Sequence, residues 1–180
     1  NYNYFRKSIP SSTKIMAMVK AYSYGSGSFE LANALQYHNI DYLAVAYADE
    51  GVELRNGGIS LPIMVMNPQA ESFDFMIQYN LEPEIFSFRI LQQLVSSLEN
   101  SLFEESLTVG IHLKIDSGMH RLGFEYEELT ELLKILNKQK QIRVKSVFSH
   151  LATSDSSADD SFTKQQIAYF NKCSDLLEEA

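Results

Sequence analysis

Lys20 is the residue of this chain whose type and position most clearly permit chemistry. It stands near the end of an apolar run at 14–21 and is followed at once by the turn-forming stretch Tyr-Ser-Tyr-Gly-Ser-Gly-Ser at 22–28. This pattern predicts a strand that delivers an amine to a loop. Because burial favours the neutral form of an amine, Lys20 is a candidate for covalent bonding to an aldehyde.

Tyr24 lies four residues after Lys20, inside the glycine- and serine-rich loop. Its hydroxyl, together with exposed backbone N–H groups, could bind a phosphate, although the same residues would also suit an ordinary turn. The Gly-x-Gly at 25–27 lacks the third glycine and the later acidic residue of a dinucleotide-binding loop. The loop therefore predicts a phosphate site of another kind, or a simple turn.

A second group of candidates lies on the apolar run at 108–116. His112, Lys114 and Asp116 share one face of the predicted strand, while the alternate residues are apolar. The loop that follows contains Arg121, whose planar guanidinium can bind a carboxylate or phenolate oxygen through two N–H groups. In a barrel enzyme these residues would lie near the active-site mouth.

His150 lies near the carboxyl end of the run at 142–152, which is another predicted strand. A single histidine at such a position is either a packed imidazole of the core or a ring that lines a ligand. Cys173 has no second cysteine with which to form a disulfide or metal pair, so we interpret it as a structural residue.

Strand-like and helix-like patterns alternate along the whole chain. The apolar runs lie at 14–21, 41–48, 62–67, 83–87, 108–116 and 142–152, and the clearest helical patterns at 28–38, 126–138 and 161–178. Six successive βα units favour a doubly wound sheet or most of a (β/α)8 barrel, which needs eight. We further expect Ser28 to cap the helix at 28–38, and Ile167, Phe170 and Leu177 to form the buried face of the helix at 161–178.

Composition excludes several classes of function. The formal net charge is -8 and the hydrophobic content is 45%, which predicts a soluble globular protein and argues against a nucleic-acid partner. No apolar run reaches the roughly 18 to 20 residues that cross a bilayer, and the first residues lack a signal-peptide pattern. The expected compartment is the cytoplasm, with no membrane partner.

Three segments carry a resemblance to a known family. Residues 16–27, Met-Ala-Met-Val-Lys-Ala-Tyr-Ser-Tyr-Gly-Ser-Gly, resemble the cofactor-lysine motif of the bacterial alanine racemases. Residues 114–123, Lys-Ile-Asp-Ser-Gly-Met-His-Arg-Leu-Gly, resemble that family's KxDTGMHRLG segment, and Ser-His-Leu-Ala at 149–152 resembles its THFA segment. The family usually has Asn where Tyr22 stands and His where Ser26 stands.

The resemblance implies an α/β fold, an incomplete (β/α)8 barrel over residues 1–180, that binds pyridoxal 5'-phosphate (PLP). Lys20 would hold PLP as a Schiff base and act as a catalytic base on one face of the substrate. Tyr24 would bind the phosphate, His150 would pack against the pyridine ring, and Arg121 would contact the phenolate oxygen and orient the substrate. Lys114 is often carbamylated in this family and would then hold Arg121 in place.

The resemblance also implies the setting of the reaction. The family interconverts L-alanine and D-alanine for peptidoglycan in the bacterial cytoplasm, as a homodimer. Its second base is a tyrosine from the β-rich C-terminal domain of the partner subunit, and this domain and two further barrel units would lie outside residues 1–180. We therefore expect these residues alone to have little or no racemase activity. In some bacteria the module is fused behind a ligase for D-alanyl-D-alanine, and the start of the sequence permits that origin.

Three other interpretations remain open from the residues. They are a single-domain PLP-binding barrel that acts in cofactor homeostasis, a Schiff-base aldolase in which Lys20 bonds the substrate directly, and a PLP-dependent decarboxylase for a basic amino acid. The segment at 119–123 and the Tyr24-Gly25 loop favour the racemase.

Overall fold

The computed structural model describes residues 1–100 and 106–179. The strands are β1 (Met16–Met18), β2 (Tyr42–Val45), β3 (Ile63–Val65), β4 (Glu82–Ile85), β5 (Val109–Lys114) and β6 (Ile142–Phe148). The helices are α1 (Tyr2–Ser8), α2 (Lys20–Gly25), α3 (Ser28–Tyr37), α4 (Ala48–Asn56), α5 (Phe73–Gln78), α6 (Phe88–Asn100), α7 (Leu129–Leu136) and α8 (Asp160–Glu178). Short 3-10 turns lie at Ala70–Ser72, Tyr126–Glu128 and Ser157–Asp159.

Each strand pairs in parallel with the next strand along the chain, in the order β1-β2-β3-β4-β5-β6. This sequential order, with a helix after each strand, is the connectivity of a (β/α)8 barrel rather than of a doubly wound sheet, in which the strand order reverses. The predicted parallel alternation is confirmed for the described residues. The strands are shorter than the apolar runs, so that Lys20 and His150 lie beyond the strand ends.

The first of two compact units comprises Asn1–Pro83. Strands β2 and β3 are almost entirely buried, as a parallel strand covered on both faces requires. Helix α5 contributes Phe73 and Met76 to this core. At the start of β4, Glu82 accepts a hydrogen bond of 2.7 Å from the Tyr42 hydroxyl at the start of β2.

The second compact unit comprises Glu84–Ala180. Its core is formed by β5 and by the apolar faces of α6 and α7, with Leu91, Leu94, Leu129 and Leu132 all fully buried. A register shift between Ile111 and His112 interrupts the pairing of β5 with β6, which marks a bulge. Strand β5 is buried on both faces, including the polar face that the sequence pattern distinguished.

Two details of the helices differ from the predictions. Ser28 does not cap α3, because it is the first helical residue and its hydroxyl donates to the carbonyl of Val19 at 3.2 Å. On α8, Ile167 is exposed, and the buried positions are Gln166 and Cys173, seven residues apart. The buried stripe thus includes a polar residue that an apolar pattern could not reveal.

Within residues 1–100 and 106–179, no helix combines the length and hydrophobicity needed to cross a membrane.

Candidate functional site

Lys20 opens α2, a left-handed turn that only Val19 separates from β1. The four residues Ala21–Tyr24 have φ values of 51°, 53°, 50° and 56° and ψ values from 36° to 52°. Consecutive left-handed residues with side chains cost roughly 1–2 kcal/mol each, so tertiary contacts must stabilise the turn. Lys20 itself is half-buried, at the junction between the strand and this strained segment.

The carboxylate of Glu50, on α4, holds the turn in place. One of its oxygens accepts the N–H of Ala21 at 2.6 Å, and the other accepts the N–H groups of Ala46 and Tyr47 at 2.7 and 3.0 Å. Glu50 therefore joins the residue after Lys20 to the first turn of α4. Sequence reasoning missed Glu50, although an acidic residue at the third position of a helix is a known capping signal.

Tyr24 ends the left-handed run, and its side chain is 73% exposed. Gly25 and Gly27 follow with φ of 96° and 85°, values that favour glycine and that bring the chain into α3. The hydroxyl of Ser23 donates weakly to the Val19 carbonyl at 3.4 Å. The turn therefore presents a phenol to solvent from a backbone that is tied to the strand end.

The loop after β5 is fixed by its own backbone and by Asp116. One oxygen of Asp116 accepts the N–H groups of Gly118 and His120 at 2.9 and 3.0 Å. Phe124 returns the chain to the strand, because its N–H donates to the Lys114 carbonyl at 2.8 Å and its carbonyl accepts from Asp116 at 3.0 Å. At Gly123, with φ of 130°, a Cβ would overlap the Asp116 backbone. Arg121 is exposed on this loop.

A polar network ties the ends of β5 and β6 to α8. The Ser117 and Ser149 hydroxyls lie 2.6 Å apart, and Ser149 donates to the Ile115 carbonyl at 2.7 Å. The fully buried amide of Gln166 donates to the His150 carbonyl at 3.1 Å and accepts the N–H of Ala152 at 2.9 Å. This network sets the backbone that carries His150, and the sequence pattern gave no sign of Gln166.

Lys114 is buried and lies beside a buried carboxylate from β4. Its Nζ is 3.0 Å from Oε1 of Glu84, whose side chain is completely inaccessible to solvent. Burial raises the pKa of Glu84, whereas the positive charges of Lys114, Arg121 and His112 act in the opposite direction. His112, also buried, shares a hydrogen bond of 2.7 Å with Ser146 across β5 and β6.

Lys114, Arg121 and His150 line one small cleft in the second unit. Arg121 and His150 are both exposed residues, so a ligand could reach them. Lys20 and Tyr24 belong to the left-handed turn of the first unit. In each unit, the predicted site residues lie at or just beyond the carboxyl end of a strand, where βα-barrel enzymes place their functional groups. This connectivity and placement define a βα-barrel protein with a strand-end lysine.

Comparison with known proteins identifies the family within this class. The family model described as alanine racemase, N-terminal domain, matches residues 1–180. An alanine racemase from Carboxydothermus hydrogenoformans is 36% identical over 166 residues, which make up 92% of this chain and 44% of that protein. One from Clostridium tetani is 34% identical over 176 residues, covering 96% of this chain and 44% of that protein.

A solved structure of alanine racemase from Clostridium difficile 630 matches with a TM-score of 0.89 and 32% identity, over 99% of this chain and 46% of that one. The chain belongs to the alanine racemase family and corresponds to its N-terminal domain. The predicted family and the fold class, an incomplete (β/α)8 barrel, are confirmed. The chain spans about half the length of the curated relatives that it matches.

Proposed function

We propose that this chain is the PLP-binding part of an enzyme that interconverts L-alanine and D-alanine. The observation that carries the proposal is the position of Lys20. It lies two residues after the last residue of β1, at the start of a strained turn held by Glu50. Strain of this kind persists where the surrounding structure supports it, and it is concentrated at functional sites. Membership of the alanine racemase family supports alanine racemisation as the reaction.

The residues fit PLP in chemical type and accessibility. An amine suits its aldehyde, a phenol and a guanidinium suit its phosphate and phenolate oxygens, and an imidazole can pack against its ring. Lys20 is half-buried, whereas Tyr24, Arg121 and His150 are exposed. When bound, PLP withdraws electrons from the substrate Cα and so makes its proton acidic.

Each side chain would have a defined role. Lys20 Nζ would hold the cofactor and would accept or return the Cα proton on one face of alanine. The Tyr24 hydroxyl would donate to the phosphate, and His150 would pack against the pyridine ring. Arg121 would bind the phenolate oxygen and orient the substrate, on a loop that Asp116 orders.

Racemisation needs a second base on the opposite face of the substrate. We propose that a tyrosine from another part of the full-length protein supplies it, contributed by the partner subunit of a homodimer. The product, D-alanine, would serve peptidoglycan synthesis in the bacterial cytoplasm. The family comparisons favour this function over the homeostasis, aldolase and decarboxylase interpretations.

Covalent trapping tests the role of Lys20. The protein is mixed with PLP, reduced with sodium borohydride, digested and mapped by mass spectrometry. We expect the pyridoxyl label on Lys20, its loss in Lys20→Ala, and its retention in Lys14→Ala, which removes an exposed lysine from the same apolar run. A label elsewhere, with Lys20 unmodified, would contradict the proposal.

A further inference from the structure

Glu84 is an ionisable side chain in an unusual position. It lies on β4, its side chain is 0% exposed, and among the described residues no uncharged group donates a hydrogen bond to either of its carboxylate oxygens. Such a buried carboxylate is strongly unfavourable unless an opposite charge compensates for the lost hydration. The ammonium of Lys114, 3.0 Å away, provides that charge.

The strand register explains why these two groups meet. Glu84 is directly opposite His112 in the pairing of β4 with β5. Lys114 lies two residues beyond His112, on the same face of β5, and is therefore the diagonal neighbour of Glu84. The Nζ of Lys114 is also 5.4 Å from the centre of the Phe148 ring, a second contact that favours a cation.

This arrangement opposes carbamylation of Lys114, the modification that the family resemblance implies. In that reaction the lone pair of a neutral amine attacks the carbon of CO2, one C=O electron pair moves to oxygen, and the nitrogen loses a proton to solvent. The product carries a negative charge. Beside Glu84 it would replace an attractive ion pair with two neighbouring anions in a buried place, where repulsion is strong.

We propose that Glu84 is a positioning residue that keeps Lys114 as an unmodified ammonium and itself supplies the negative charge next to the Arg121 loop. The biological meaning of this inference rests on the proposed function, in which Arg121 binds the cofactor and orients the substrate. Glu84, Lys114 and Arg121 all belong to the second unit. Lys114 and Arg121 both line the cleft after β5.

Carbon-13 NMR tests the proposal without any cofactor. The full-length protein is equilibrated with 13C-bicarbonate, and a carbamate signal is assigned to Lys114 if Lys114→Arg removes it. We expect no such signal in the wild type or in Glu84→Asp, which keeps the charge. A Lys114-dependent signal in the wild type would overturn the proposal, whatever the cofactor experiments give.

The neutral variant Glu84→Gln provides the complementary measurement. Without the carboxylate, we expect a Lys114-dependent carbamate signal and an unfolding temperature that rises with bicarbonate, because a modification that forms only in the folded protein stabilises it. If Glu84→Gln behaves like the wild type in both respects, the role of Glu84 is disproved. Should this variant fail to fold, Glu84→Met removes the charge with a side chain suited to the core, and the same two outcomes apply.

Discussion

Glu50 controls the conformation of the residue that follows Lys20. Its two carboxylate oxygens accept three backbone N–H groups, from Ala21, Ala46 and Tyr47. Hydrogen bonds to a charged acceptor are stronger than those between neutral groups, and they offset the unfavourable dihedral angles of the turn. Glu50 thus holds the backbone next to Lys20, the lysine proposed to bind the cofactor.

Replacing Glu50 by Gln should lower the free energy of unfolding by about 1–3 kcal/mol, because the amide offers one acceptor oxygen in place of two. PLP binding should weaken as well, since the turn after Lys20 loses its support. Urea unfolding and PLP titration measure the two effects. Glu53→Gln, at an exposed position of the same helix, should change stability by less than about 0.5 kcal/mol. Equal effects of the two substitutions would show that Glu50 has no special role.

At the scale of secondary structure, α8 organises the ends of two strands. Its buried Gln166 contacts the Ser117 hydroxyl at 3.3 Å and bonds the backbone of His150 and Ala152. The loops after β5 and β6 carry Arg121 and His150. One helix therefore holds the backbone of both of these candidate ligand-binding residues. Burial of an amide is tolerated here because both its donor and its acceptor have partners.

Gln166→Ala should therefore destabilise the second unit by about 1–3 kcal/mol, since it removes a buried amide and leaves two part-buried backbone groups without that partner. Hydrogen exchange at the Ala152 amide should accelerate more than exchange in the middle of β5. The neighbouring exposed residue provides a matched control, because Gln165→Ala shortens the same side chain on the same helix. We expect that control to stay within about 0.5 kcal/mol of the wild type. Unchanged exchange at Ala152 in Gln166→Ala would contradict the assignment.

At the scale of the whole molecule, the chain corresponds to the N-terminal domain of the alanine racemase family. It covers 44% of the relatives from Carboxydothermus hydrogenoformans and Clostridium tetani. The proposed reaction needs bases on both faces of the substrate, and the resemblance assigns only one of them, Lys20, to residues 1–180. We therefore expect residues 1–180 to retain cofactor attachment but to lose most of the racemisation activity.

Residues 1–180 alone should attach PLP at Lys20 but form D-alanine from L-alanine far more slowly than the full-length protein. A coupled assay with D-amino-acid oxidase, in excess PLP, measures this difference. The full-length protein with Lys20→Ala serves as the control for the chemical background. Turnover by the isolated residues close to that of the full-length protein would place both bases within this chain.

The sequence by itself determined the order of strands and helices, the parallel connectivity and the location of Lys20, Arg121 and His150 near the carboxyl ends of strands. These features depend on local patterns of apolar residues, turn residues and short motifs, which are readable along the chain. The strand limits were too long, because apolar residues continue into the turns that follow β1 and β6.

Only the tertiary structure decided how those residues are held. Glu50 meets Ala21 across 29 positions, and Gln166 meets Ser117 across 49. The left-handed turn and the Glu84–Lys114 pair likewise depend on strand register and on the packing of distant segments. Such contacts have no local period, because a polar residue on a helix or strand shows its partner only after the chain has folded.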